Sequence, residues 1–331
     1  MGVLNPKFSL VTIAKAHAIR ALRCYHQTVL SISTMWAQQD RFQDLTNFRR
    51  VVASMGYDAI EISHSTAQEG LRALLEPGEI PLSSLHAPTP RRKLPDDRTN
   101  SEANLAATDE DERALAVAET KRTIEYAAQA SLRFIVVHLG GIGSKSSDSE
   151  VQLKDLFRRG IRHTEQVDAL KEKMKRQRAG VAEAHLEAAA RSLRELVEAA
   201  KPHGIALGLE SRLHYHEIPH PEEALQRLES YDNSAAGYWH DVGHCEVMAR
   251  LGLIERSAWF PALTDRTIGT HLHDVDGLLD HRAPGNGDVD WRYIAAGLPE
   301  TALRVFEIDQ GQPDEKVAGA PAFLRKLGVV S

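Results

Sequence analysis

From Thr270 to Trp291 the chain reads THLHDVDGLLDHRAPGNGDVDW, which brings His271, His273, Asp274, Asp276, Asp280 and His281 close together. Neutral imidazole and carboxylate together are the ligand set for zinc, manganese, iron or cobalt. The apolar approach Thr267-Ile268-Gly269 and the following Pro-Gly-Asn-Gly turn describe a strand that ends in ligands and opens into a glycine-rich loop. Barrels and open α/β sheets build their sites in this way, at strand ends. Asp, His and Gly are also common in surface turns, so the stretch takes its meaning from what stands elsewhere in the chain.

The elements that must position these residues alternate. Strands are predicted over 28–36, 57–63, 80–86, 133–138, 205–210, 236–241 (running on to His244), 268–271 and 303–307. The signal is alternating or continuous runs of apolar and β-branched residues. Helices are predicted over 47–55, 67–75, 112–130, 180–201, 221–228 and 321–327, from helical spacing and from glycine and proline at the ends. Residues 89–111 have no period and read as a loop. Residues 141–178 interrupt the rhythm with a Ser-rich turn and the basic run from Lys171 to Arg178, read as an insertion whose basic run is a solvated helix face. Strand followed by helix, about eight times over, predicts a single α/β domain, a (β/α)₈ TIM barrel over 28–331 with an extension at 1–27. A doubly wound open sheet is the alternative. No G-x-G-x-x-G follows an early strand, so a dinucleotide site has no support.

The predicted strands end in Trp36, Glu61, His86, His138, Glu210, Asp241, His271 and Glu307. In a barrel these ends converge on one face, however far apart they lie in sequence. Glu210, Asp241, His271 and Glu307 would make an oxygen-rich site with one nitrogen, suited to Mn²⁺, Mg²⁺, Co²⁺ or Zn²⁺. For each residue taken singly, a buried polar group satisfied by the backbone is the ordinary reading.

The whole pattern resembles the xylose isomerase-like TIM barrels, the superfamily of sugar phosphate isomerases and epimerases and of AP endonuclease family 2. The resemblance runs from about Thr28 to Leu327. It rests on GLESR around Glu210, HDVGH with its Asp-x-x-His pair Asp241 and His244, HLHD around His271, VFEID around Glu307, and the His-x-x-Pro-Gly-x-Gly run from His281 to Gly287. It implies metal ligands at Glu210, Asp241, His271 and Glu307. His273 is a rival to His271, because residues two apart on a strand share a face. His86, His138, His244 and His281 match the extra histidines of the endonuclease branch, where they hold further zinc ions. In this chain they are assigned to a second metal or to sugar hydroxyls. The remaining aspartate of that branch falls on Leu279, with Asp280 one position away.

The resemblance implies an enzyme that abstracts a proton next to a sugar carbonyl, as an isomerase or epimerase working through a metal-stabilised enediolate. Glu210 and Glu307 would be its acid–base pair. Arg212, Trp36, Trp239 and His273 are expected to bind substrate. The same abstraction could drive β-elimination, making a lyase on keto-sugars or keto-glycosides. The rivals are a multi-metal phosphodiester hydrolase of the endonuclease type and a non-catalytic sugar-binding barrel.

Composition sets the bounds. The 331 residues have ordinary apolar and charged fractions and a net charge of −6, which disfavours a nucleic-acid partner. No apolar run is long enough to span a membrane. Two cysteines, Cys24 and Cys245, give no disulfide framework and suit a reducing, cytoplasmic compartment. The first 39 residues lack Asp and Glu. That start reads as an extension rather than a transit peptide, and Pro6 argues against a myristoyl signal. The insertion running into the 180–201 helix is expected to be a lid or an interface, leaving room for a homo-oligomer.

Overall fold

The computed structural model describes residues 29–143 and 147–331; the predicted extension over 1–27 lies outside them. Eight parallel strands close into a barrel. They are β1 (Leu30–Ser33), β2 (Ala59–Ile62), β3 (Leu82–His86), β4 (Phe134–Val137), β5 (Ala206–Glu210), β6 (Ala236–Asp241), β7 (Thr267–Leu272) and β10 (Leu303–Phe306). The order around the barrel is β1-β10-β7-β6-β5-β4-β3-β2. The (β/α)₈ reading therefore holds, and the open sheet is excluded because β10 pairs β1 and closes the ring. Strands such as β4, FIVV, are apolar throughout because a parallel strand in a barrel is covered on both faces.

The helices wrapping the barrel are α1 (Leu45–Ser54), α2 (Gln68–Leu75), α3 (Glu110–Gln129), α4 (Asp148–Arg158), α5 (Glu165–Ala179), α6 (Ala182–Ala200), α7 (Pro221–Leu228), α8 (Val242–Arg250), α9 (Trp291–Gly297) and α10 (Asp314–Lys326). Aspartates cap four of them, among them Asp44, which accepts from the Thr46 amide, and Asp109, which accepts from the Glu112 amide, each satisfying an otherwise unpaired N–H.

Four elements differ from expectation, each for a local reason. The insertion is two helices, α4 and α5, leading into the expected helix α6, not an irregular lead-in. Thr164 caps α5, and the basic run is its last turns. Arg178, at the end of that run, is buried rather than solvated; it pairs with Glu223 at 2.5 Å and donates to the Tyr215 carbonyl at 3.0 Å. The chain after Asp241 is helix α8, not more strand. Asp274–Asp276 (β8) and Leu279–Arg282 (β9) form an antiparallel hairpin inside the stretch read as loop. Finally, α10 begins at Asp314 and carries Pro321 inside it, where proline suggested a start.

The insertion is fastened to the loop after β5. Glu150 lies 2.6 Å from His214 and 2.8 Å from Lys154, and Arg178 reaches the same loop. Next to Arg178, His220 starts α7, with its Nε2 3.0 Å from the Tyr215 carbonyl. Burial and the neighbouring Arg178 push its pKa down to about 4. The folded state then binds fewer protons than the unfolded chain between pH 6.5 and pH 4, so stability rises with pH across that window. Each tenfold change in proton affinity is worth about 1.4 kcal/mol. Neutral His220 thus contributes on the order of 3 kcal/mol above pH 6.5, and this is lost as pH falls through 4. Denaturant melts of metal-free protein at pH 7, 5.5 and 4.5 should show this decline, with a shallower slope in His220→Gln; equal slopes in the two proteins would refute the assignment.

Candidate metal centre

Each expected ligand stands where its strand delivers it. Glu210 and Asp241 are the last residues of β5 and β6, His271 is the last but one of β7, and Glu307 follows β10 directly. Their ligand atoms all lie within 4.8 Å of one another. None of the four is more than 1% exposed. His271 Nδ1 is the hub, 2.6 Å from Glu210 Oε1, 3.1 Å from Glu307 Oε2 and 3.5 Å from Asp241 Oδ2.

The Asp-x-x-His spacing has a backbone cause. Asp241 ends β6 and is also the N-cap of α8, where its Oδ1 accepts the His244 amide at 2.7 Å. The helix start thus orients a ligand carboxylate, and its dipole favours the ionised form. The Ser211 hydroxyl accepts the Asp241 amide at 2.9 Å.

His271 and His273 take separate places although they share a face of β7. His273 Nδ1 accepts the His281 amide at 2.8 Å, which leaves Nε2 to donate to Asp241 at 2.9 Å. It supports a ligand from behind, while His271 faces the cluster. Asp274, the next residue, is structural. Its carboxylate accepts from the amides of Val275, Gly285 and Val289 and from the Trp291 indole, which pins the glycine-rich loop. Gly287 is needed there, since a Cβ would sit 2.3 Å from the Val275 carbonyl.

The two tryptophans expected against substrate do other work. Trp36 packs against Phe42 and Phe48 and donates to the Gln312 carbonyl at 2.9 Å. Trp239 is fully buried 5.5 Å below the His271 ring, and a Cβ on Gly269 would come within 2.1 Å of its indole. It floors the centre as barrel packing.

The other predicted residues form two flanking groups. His86, His138 and Glu210 make one, with His138 Nε2 at 2.6 Å from Glu210 Oε2 and His86 Nε2 at 2.6 Å from His138 Nε2. Arg212 reaches the same Glu210 oxygen at 2.5 Å and Glu217 at 2.9 Å. His244, His273 and His281 make the other. His281 adopts a left-handed backbone, φ 52°, a strained choice for a non-glycine residue. Leu279 is exposed, whereas Asp280 Oδ2 is buried 3.7 Å from His281 and 3.9 Å from His244.

Sequence reading placed Glu61 at a strand end but gave it no role. It is fully buried; Oε1 lies 2.9 Å from His271 Nε2, and Ser84 donates to Oε2 at 2.7 Å. A carboxylate holding the far nitrogen of His271 fixes the tautomer that leaves Nδ1 free to ligate. The inward register of β2 supplied this contact, and only its position near a strand end hinted at it. His64 was also missed. Its ring lies 4.9 Å from His86, and burial, with His86 and His138, pushes its pKa well down.

Charge balance supports a cation. Burial alone would raise the carboxyl pKa values, yet His138, His86 and Arg212 hold Glu210 well below its ordinary range. His244 and His273 do the same for Asp241, and His271, His86 and His281 for Glu307. Against desolvation, Glu307 and Glu61 raise the pKa of His271. Buried Glu307 Oε1 has no hydrogen-bond partner; His86 Nδ1 is 3.4 Å away but poorly aligned. Three ionised carboxylates and one imidazole nitrogen, closely grouped and with a spare oxygen, fit a divalent metal.

The chain belongs to the xylose isomerase-like TIM barrel family, which matches it over residues 49–327. No curated protein matches it in sequence. Among solved structures it is similar to a D-tagatose 3-epimerase-like protein, with TM-score 0.63 and 18% identity over 91% of this chain and 97% of that one. D-psicose 3-epimerase from Clostridium cellulolyticum H10 matches with TM-score 0.61 and 16% identity, over 91% and 99%. The IolI protein with a bound zinc atom matches with TM-score 0.60 and 15% identity, over 91% and 98%. At these identities the likeness shows the shared fold.

Glu61→Gln should weaken Zn²⁺ or Co²⁺ binding about 10–100-fold by calorimetry, with an altered visible spectrum of the cobalt form. Unchanged affinity and spectrum would remove Glu61 from any role in positioning His271.

Proposed function

We propose that this chain is a divalent-metal-dependent sugar epimerase or isomerase that moves a proton on the carbon next to a carbonyl. The observation that carries the reading is the buried convergence of Glu210, Asp241, His271 and Glu307 within ligand distance of one another. The printed names of the similar structures, sugar 3-epimerases and a zinc-binding relative, point the same way.

When bound, the ion supplies Lewis acidity that makes the C–H next to the carbonyl easier to ionise. The residues then divide the work. Glu307 is the base, because it is ionised and its buried Oε1 has no hydrogen-bond partner among the described residues. Glu210, whose Oε1 faces the same His271 nitrogen, would return a proton that it takes up from solvent through His138, 2.6 Å from its Oε2. Arg212, within 2.5 Å of Glu210 and 2.9 Å of Glu217, holds the Glu210 carboxylate in place. His86, His138 and His64 exclude water from one side of the centre and His281 from the other. Proton removal with departure of a β-substituent would use the same groups, so a lyase on keto-sugars shares this site.

One observation favours a second reading. The group His244, His273 and His281, with half-buried Asp280 beside it, could hold another ion and serve multi-metal phosphodiester hydrolysis.

Elemental analysis of protein purified without chelator separates the two. One metal per chain, lost in Glu307→Gln and kept in His281→Ala, is the expected result. It should be accompanied by deuterium uptake from D₂O into a ketose at the carbon next to the carbonyl, reduced at least 10³-fold in Glu307→Gln, within the usual range for general acid–base groups. Two or three metals, one of them lost in His281→Ala, would favour the hydrolase. No metal, even after soaking with Mn²⁺, Co²⁺ and Zn²⁺, would overturn both.

A further inference from the structure

Beside the ligand cluster, the loops after β3, β4 and β5 enclose an open groove of about 480 Å³, whose lining includes Arg98, Asn104, Glu112, His138, Arg212 and Glu217. Its walls are fixed to one another. Asn104 donates to the Gly141 carbonyl at 2.9 Å and accepts from the amides of Gly141 and Ala106 at 3.1 and 3.0 Å. Gly141 pairs with Glu217 as an antiparallel bridge. The Ile142 amide donates to the His216 carbonyl and the Ile218 amide to the Gly140 carbonyl, both at 2.9 Å. A preformed cleft of this kind can bind without a cost of ordering loops.

The inner end of the groove touches the chemistry. His138 and Arg212 line it, and both bond Glu210 Oε2, at 2.6 and 2.5 Å. A substrate whose reacting carbon lies beside Glu210 therefore projects its substituent into the groove. The volume lies within the range of about 300–1,000 Å³ that buries ligands well beyond one sugar ring.

The charges along the groove indicate what the substituent is. Among its described lining residues, Arg98 is engaged with Asp96 at 2.7 Å and Glu112 at 2.7 Å, and Arg212 with Glu210 and Glu217. Glu102, Glu112 and Glu217 outnumber the two guanidinium groups. A phosphate would meet surplus negative charge and cations already paired. Hydroxyl groups, which both donate and accept, can bond carboxylates, guanidinium edges and the amide of Asn104 alike.

We propose that this groove is a subsite for an uncharged, polyhydroxylated second ring, so that the substrate is a keto-sugar carrying another sugar or polyol rather than a free monosaccharide or a sugar phosphate. The proposal rests on the epimerase or isomerase reading for the reacting end, while occupancy of the groove is read separately, by binding.

The experiment uses full-length, Zn²⁺-loaded protein. Affinities for fructose, fructose 6-phosphate and the ketose disaccharides turanose, maltulose, lactulose and palatinose are measured by saturation-transfer NMR, together with deuterium uptake from D₂O. The disaccharides attach the second ring at different hydroxyls of the ketose. At least one should bind tenfold or more tightly than both fructose and fructose 6-phosphate. Ser101→Trp, which places an indole at the groove wall, should abolish that advantage. Gly143→Trp, where an added Cβ meets nothing within 4 Å among the described residues, is the second blocking variant should the first fold poorly. Fructose or its phosphate binding as tightly as every disaccharide overturns the subsite, and so does an advantage that survives the blocking variant. Deuterium uptake into fructose without a disaccharide advantage defeats the subsite alone. A disaccharide advantage with no uptake into any sugar upholds the subsite and defeats the isomerase reading instead.

Discussion

Four carboxylates, on Glu61, Glu210, Asp241 and Glu307, are withdrawn from water at one end of the barrel, and much of the local structure answers that fact. Taking an ionised group out of water costs on the order of several kcal/mol even after relaxation, so each must be matched by charge or by hydrogen bonds. Arg212 and His138 meet Glu210, the start of α8 and His273 meet Asp241, Ser84 and His271 meet Glu61, and His271 lies between Glu210 and Glu307. Deleting any one of these partners leaves a buried charge less fully matched, and the loss is then larger than the partner's own contribution. A divalent ion is the most economical remaining counter-charge.

The fold was legible because a parallel barrel writes its strands as short apolar runs between helical periods, and nothing else in the chain competes with that pattern. The four converging residues were legible because each stands at or near the end of such a run. Less visible were the features that depend on register or on contacts between distant loops. Glu61 sits inside a four-residue strand, and only its pairing with Ser84 across β2 and β3 turns it toward His271. Strand periodicity puts His271 and His273 on one face, but it takes the backbone amide of His281 to give them different partners. The helix at Val242 was masked because its cap, Asp241, is also one of the four converging residues, so polar chemistry and secondary structure share one residue. Trp36 looked like a strand-end platform; the chain turns after Ser33, and the indole joins Phe42 and Phe48 instead.

The two halves of the barrel contribute differently. β5, β6, β7 and β10 bring the four expected ligands, while β2, β3 and β4 bring Glu61, His64, His86 and His138, which cover and orient them. Loops fastened by Asn104 and by the Gly141–Glu217 bridge continue that cover outward. Chemistry at one side and shape at the other can therefore change separately, which is how one scaffold comes to serve many substrates.

The position of β10 has a consequence for how the protein matures. This strand is the last of the barrel in sequence, it seals the ring between β1 and β7, and Glu307 follows it immediately. A chain emerging from the ribosome carries Glu210, Asp241 and His271 long before it has either the fourth ligand or a closed wall to keep water from them. The four-residue cluster is therefore complete only once the ring is sealed, so an ion held by all four residues would mark a barrel that has closed.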